Sequence, residues 1–171
     1  MTLRLFLAAL LSVWVGFAAA QAPQSFAKPP LASAIPKPGP KDLCPVCGML
    51  VAKYPHWIAT IVYKDGHAHH FDGAKDMFKF WFDPPKYVAG HSREMMASIW
   101  VTDYYDLKRI DAKTAYYVIG SDVLGPMGHE FVPLASQADA EDFMKEHKGK
   151  RILRFDEVTQ NLPLQLDAGT F

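Results

Sequence analysis

The feature that most constrains this chain is an order of elements, strand–strand–helix–strand, that can be read twice along it. Trp57-Ile58-Ala59-Thr60-Ile61-Val62-Tyr63 is rich in β-branched and aromatic residues, and Asp65-Gly66 within the following turn is a hairpin signature. His67 to Phe71 returns as a second strand. Asp72 or Gly73 caps a helix that runs to Phe82, where Asp83-Pro84-Pro85 stops it. Met95 to Thr102 is the third strand. The order then recurs: a strand at Ala115 to Ile119, a Gly-rich loop from Gly120 to Gly128, and a strand at Glu130 to Leu134. Ser136 is an N-cap for a helix over Gln137 to His147, which Lys148-Gly149-Lys150 ends before a last strand, Arg151 to Phe155. The expected class is α+β, two small modules of about 42–110 and 111–158 sharing one core.

The segments outside this pattern follow other rules. Leu5 to Ala20 is apolar apart from Ser12 and Gly16, follows Arg4, and ends in Ala18-Ala19-Ala20, the pattern of a cleaved signal peptide over residues 1–20. Its 16 residues fall short of the roughly 20 that a spanning helix needs. A periplasmic location is expected. Residues 21–41 hold six prolines and no apolar periodicity, so they read as an extended tether. The folded domain is then 42–158, and 159–171 a C-terminal tail. With 18 Lys+Arg against 18 Asp+Glu, no basic field exists to hold a phosphate backbone, which excludes nucleic acid as a natural partner.

The densest chemical signal is Cys44-Pro45-Val46-Cys47-Gly48-Met49. Two cysteines at this spacing can share a metal, form a redox disulfide or hold a haem. Haem attachment needs His after the second Cys, where Gly48 stands, and a zinc ribbon needs a second Cys pair, which the chain lacks. A thiol–disulfide oxidoreductase using Cys44 and Cys47 remains an alternative, although its motif usually opens a helix, whereas Met49-Leu50-Val51 leads toward a strand through Tyr54-Pro55. Met49 is either a thioether ligand, which with thiolate selects Cu(I), or a core residue beside a disulfide. Met127 stands between Pro126 and Gly128, poorly placed for a core, and is a better ligand candidate than the helical Met77 and Met144. His129 either adds a nitrogen ligand or is a solvated loop residue.

The remaining candidates are weaker. His67 and His69 share one strand face, which could bind Cu(II) or Zn(II) or be an ordinary exposed hairpin face. His56, His91 and His147 carry no supporting neighbours in the sequence. Asp72, Asp76, Asp103 and Asp106 show no paired geometry, and neither a nucleophile elbow nor a phosphate loop is present.

Taken together, Cys44 to Met49, Tyr54-Pro55-His56-Trp57, Phe71 to Met77 and Gly120 to Gly128 resemble the NosL family of periplasmic Cu(I) chaperones that serve nitrous oxide reductase. The similarity covers about residues 42–158. It implies a fold of two strand–strand–helix–strand modules and a function without catalysis: carrying Cu(I) to an apo-metalloenzyme, nitrous oxide reductase or another copper enzyme with its membrane assembly machinery. Cys47 and Met49 match the family's Cys-x-Met motif and Met127 its loop methionine. Cys44, found in only part of the family, and His129 are candidate completing ligands. Many members are lipoproteins. No Cys stands directly after the expected cleavage site here, where Gln21 follows Ala20, which leaves membrane attachment open.

Overall fold

The computed structural model describes residues 35–171. The expected signal peptide and most of the expected tether lie outside the described residues.

Among the described residues, seven strands form two antiparallel sheets. The first sheet contains β1 (Ala59–Tyr63), β2 (Ala68–Phe71), β3 (Met96–Thr102) and β4 (Arg109–Asp111), in the order β2-β1-β3-β4. The second contains β5 (Tyr116–Ile119), β6 (Val132–Leu134) and β7 (Arg151–Arg154), in the order β6-β5-β7. Helix α1 (Ala74–Phe82) follows β2, and α3 (Gln137–Glu146) follows β6. The twice-read order is thus present, in an α+β fold. Asp65-Gly66 makes the first hairpin turn, with Gly66 at φ +92°. Ser136 caps α3 by accepting a hydrogen bond from the Asp139 amide.

Period-two alternation explains how the modules share a core. Tyr117 and Ile119 of β5 point into the main cluster with Ile61, Ile99 and Phe78, whereas Val118 faces the other way, toward Val132, Leu134 and Phe143 beneath α3. Helix α1 is the element between the sheets: its Phe78 packs on Tyr117 and Phe131 at ring separations of 5.2 and 4.9 Å. A backbone hydrogen bond from Tyr104 N–H to the Pro133 carbonyl, 2.9 Å, ties the two sheets directly.

Four local expectations are corrected. After the Cys motif the chain forms a single 3-10 turn, Val51–Lys53, and not the start of a strand. Asp83-Pro84-Pro85 ends α1 but also opens a short helix α2 (Pro84–Tyr87), because proline suits a first helical turn, whose amides have no partner within the helix. Strand β4 was not anticipated, since three residues carry too little periodicity to register. The segment 159–171 is more than a tail: it carries α4 (Leu162–Asp167), whose Leu162 and Leu166 are buried in the main core.

Candidate metal centre

The Cys motif closes on itself. Cys44 N–H donates to the Met49 carbonyl and Gly48 N–H to the Cys44 carbonyl, both at 2.8 Å, while Leu43 and Leu50 form an antiparallel bridge. The turn needs Gly48 at φ +76°, a conformation costly for any side chain with a Cβ. Both cysteines are free thiols, Cys44 buried and Cys47 half-buried, and Met49 is half-buried beside them.

What the thiols face was not visible in the sequence. Cys44 Sγ lies 3.5 Å from Asp76 Oδ2, and Cys47 Sγ lies 3.3 Å from Asp72 Oδ1. Asp72 ends the first hairpin and Asp76 sits in the first turn of α1. One donor atom from each of Cys44, Cys47, Asp72 and Asp76 falls within 4.8 Å of all the others. Both carboxylates are almost fully buried, and Asp72 Oδ2 has no hydrogen-bond partner. An orphaned carboxylate oxygen beside two thiols is an uncompensated desolvation that a cation would relieve. Burial, with Asp76 adding to it, pushes the Cys44 thiol far up, and burial likewise pushes Cys47 up to about 12. At neutral pH both are therefore thiols until a cation replaces their protons.

The second motif also touches the start of α1. Gly125-Pro126-Met127-Gly128 is a tight turn held by hydrogen bonds between Gly125 and Gly128 in both directions, and it leaves Met127 44% exposed at its tip. The Met127 carbonyl accepts a hydrogen bond of 2.8 Å from Lys75 Nζ, one residue from Asp76. Buried Glu130 anchors the loop's other side: its carboxylate accepts from the amides of Lys75, 2.5 Å, and Phe131, 2.9 Å. Burial pushes this carboxyl up to about 8, although Lys75 and the two amides pull against the shift. The approach is so close that a Cβ at Gly73 would lie 2.1 Å from Glu130 Oε2. Lys75, itself buried, pairs with Asp167 of α4 at 2.9 Å, and Lys79 bridges Asp76 and Asp167 at 3.0 and 2.7 Å. The start of α1 is thus the hub onto which the Cys motif, the Met127 loop and the C-terminal helix all dock.

His129 is placed differently. Its ring packs edge-on against Phe171 at 4.7 Å, its Nδ1 is buried without a partner, and it is not among the residues that converge on the thiols. Among the other histidines, His67 and His69 do share a face, and His91, which the sequence left without neighbours, joins them.

With this geometry in view, the comparisons decide the family. A sequence model of NosL matches residues 36–163. The chain belongs to the NosL family. It is 33% identical over 124 residues to the copper-binding lipoprotein NosL of Stutzerimonas stutzeri, an alignment that takes in 71% of this chain and 64% of that protein. The chain therefore spans less than two thirds of that relative's length. The crystal structure of the copper chaperone NosL from Shewanella denitrificans superimposes with a TM-score of 0.60 at 30% identity, covering 78% of this chain and 98% of that one.

Proposed function

We propose that this protein is an exported copper chaperone without catalytic activity. It would hold Cu(I) as cargo and pass it to an apo-metalloenzyme, nitrous oxide reductase or another copper enzyme. Cys47 supplies the thiolate, Met49 and Met127 the thioethers, and Cys44 completes the set; His129 is a more remote candidate. Residues 1–20 act as the export signal and 21–41 as the tether of the folded domain. The observation that carries this reading is that two free thiols and the loop of an exposed methionine both contact the start of α1. Thiolate and thioether are the donors that Cu(I) prefers, and flexible ligands on two separate loops suit release by ligand exchange.

The same geometry weighs against a thiol–disulfide oxidoreductase. Such enzymes lower a thiol pKa with a helix start or a cation, whereas burial and the Asp76 carboxylate raise both thiols here, with Asp72 adding to the rise at Cys44. It does favour a second metal reading. Two thiolates with two carboxylates form a four-donor set of the kind that Zn(II) accepts, so the Cys44, Cys47, Asp72 and Asp76 group is suited to a divalent ion as well.

Anaerobic Cu(I) titration against a competing chelator tests the proposal. Cys47→Ser is expected to abolish tight Cu(I) binding and Cys44→Ser to weaken it less. Parent-like affinity in Cys47→Ser would overturn it. Asp72→Asn with Asp76→Asn is expected to spare Cu(I) and weaken Zn(II), and equal losses would merge the two readings into one site.

A further inference from the structure

At the far end of β2 from the thiols, three imidazoles converge. His67 opens the strand pair, His69 lies two residues on, and His91 arrives from the loop after α2. One ring nitrogen of each falls within 4.8 Å of the other two. From His67 to Asp72 the chain is extended over five residues, roughly 16 Å, so this cluster is separate from the thiol site.

The hydrogen bonds fix which nitrogens carry protons. His67 Nδ1 is 2.5 Å from Asp65 Oδ1, and a carboxylate only accepts, so Nδ1 holds the hydrogen. His91 Nδ1 is 3.3 Å from the Ala89 carbonyl, which also only accepts. Both Nε2 atoms then bear lone pairs, yet they stand 3.1 Å apart. Two neutral rings cannot hydrogen-bond in that arrangement; it requires a positive charge between them. A shared proton would satisfy this pair. It would not satisfy His69, whose Nε2 is buried without any partner and whose ring centroid lies 5.5 and 5.1 Å from those of His67 and His91. Tyr63 forms the floor of the cluster, stacked on His67 at 4.2 Å and edge-on to His69 and His91 at 5.4 and 5.0 Å.

The geometry points to a second metal site, in which His67, His69 and His91 bind a borderline divalent ion of the Zn(II) type through their ring nitrogens. Imidazole is the donor such ions share with Cu(II) and Ni(II), and three nitrogens leave a fourth position for water. Asp65 and the Ala89 carbonyl have the role that outer partners have in histidine metal sites, holding each ring in the ligating tautomer. The site is chemically distinct from the cargo site: all nitrogen, without sulfur, and so poorly matched to Cu(I).

Zn(II) titration of the full chain, followed by NMR of its histidine ring nitrogens, tests this. Zn(II) should shift all three rings together, whether or not Cu(I) already fills the thiol site. His91→Ala, which removes the loop imidazole and its one edge contact with Tyr63, should abolish the shifts at His67 and His69. Asp65→Ala should lower Zn(II) affinity about tenfold or more. Rings that do not respond to Zn(II), or His67 and His69 shifts that survive His91→Ala, would overturn the proposal.

Discussion

Asp167 couples the C-terminal helix to the Met127 loop through Lys75, and Asp167→Asn should reveal that coupling. Lys75 Nζ, on a side chain only 1% exposed, has two partners, Asp167 Oδ1 at 2.9 Å and the Met127 carbonyl at 2.8 Å. Removing one partner of a fully buried pair costs about 3–5 kcal/mol, and an exposed pair is worth about 0–1 kcal/mol. Here one partner is buried, Asp167 is 38% exposed, and asparagine keeps a carbonyl acceptor, so the cost falls between, about 2 kcal/mol. For a domain of this size that is a fall in Tm of about 6–10 °C. The pH dependence supplies the sign. Partial burial raises the Asp167 pKa, but the hydrogen bonds from Lys79 and Lys75 outweigh it and hold the carboxyl below its ordinary 3.8. A depressed carboxylate stabilises fully above its unfolded pKa and loses that stabilisation as pH falls through its folded pKa. Parent and variant melts, followed by circular dichroism, should therefore differ fully at pH 7 and converge as pH falls well below 4. A difference below about 2 °C at pH 7, or one that persists unchanged in acid, would refute the coupling.

Two further outcomes follow from the same hub. Gly73→Ala should destabilise by about 2–4 kcal/mol in chemical denaturation, because the new Cβ drives the buried Glu130 carboxylate from two backbone amides, whereas Gly48→Ala should act through φ alone and cost about 1 kcal/mol. Because burial holds Cys47 near 12 and Cys44 higher still, Cu(I) must displace their protons. Apparent affinity should therefore rise about tenfold per pH unit for each thiolate formed, measurable by chelator competition between pH 6 and 8, and a flat profile would mean that neither thiol ionises on binding.

Much of the scaffold was legible because its signals are local. The Asp65-Gly66 turn, the Ser136 cap and the β-branched run of β1 each act within a few residues, and each forms as its chemistry dictates. Met127 was legible as exposed for the same reason, flanked as it is by Pro126 and Gly128. The anionic half of the metal centre was not. Asp76 meets Cys44 across 32 positions and Asp72 meets Cys47 across 25, contacts that exist only once β2 and α1 have set the direction of the hairpin's exit. Glu130 is further removed, 55 positions from the Lys75 amide whose hydrogen bond it accepts, and Gly73, read in the sequence only as a helix cap, is what leaves room for it. His91 was missed because α2 returns the chain to the first hairpin, and α2 begins on two prolines that read as a stop. Leu162 and Leu166 were missed because a six-residue helix gives barely two turns of apolar spacing.

The central claim is the proposal that one Cu(I) ion joins Cys47 and Met49 to Met127, on loops that each contact the start of α1. X-ray absorption at the copper edge, on parent and Met127→Ile protein loaded with one equivalent of Cu(I), tests it most directly. Isoleucine keeps an apolar side chain of similar bulk at an exposed turn, so the fold should hold while one thioether is lost. The account predicts a sulfur-dominated shell in the parent that loses one sulfur scatterer in the variant. An identical shell in both proteins, or one dominated by nitrogen and oxygen, would contradict it.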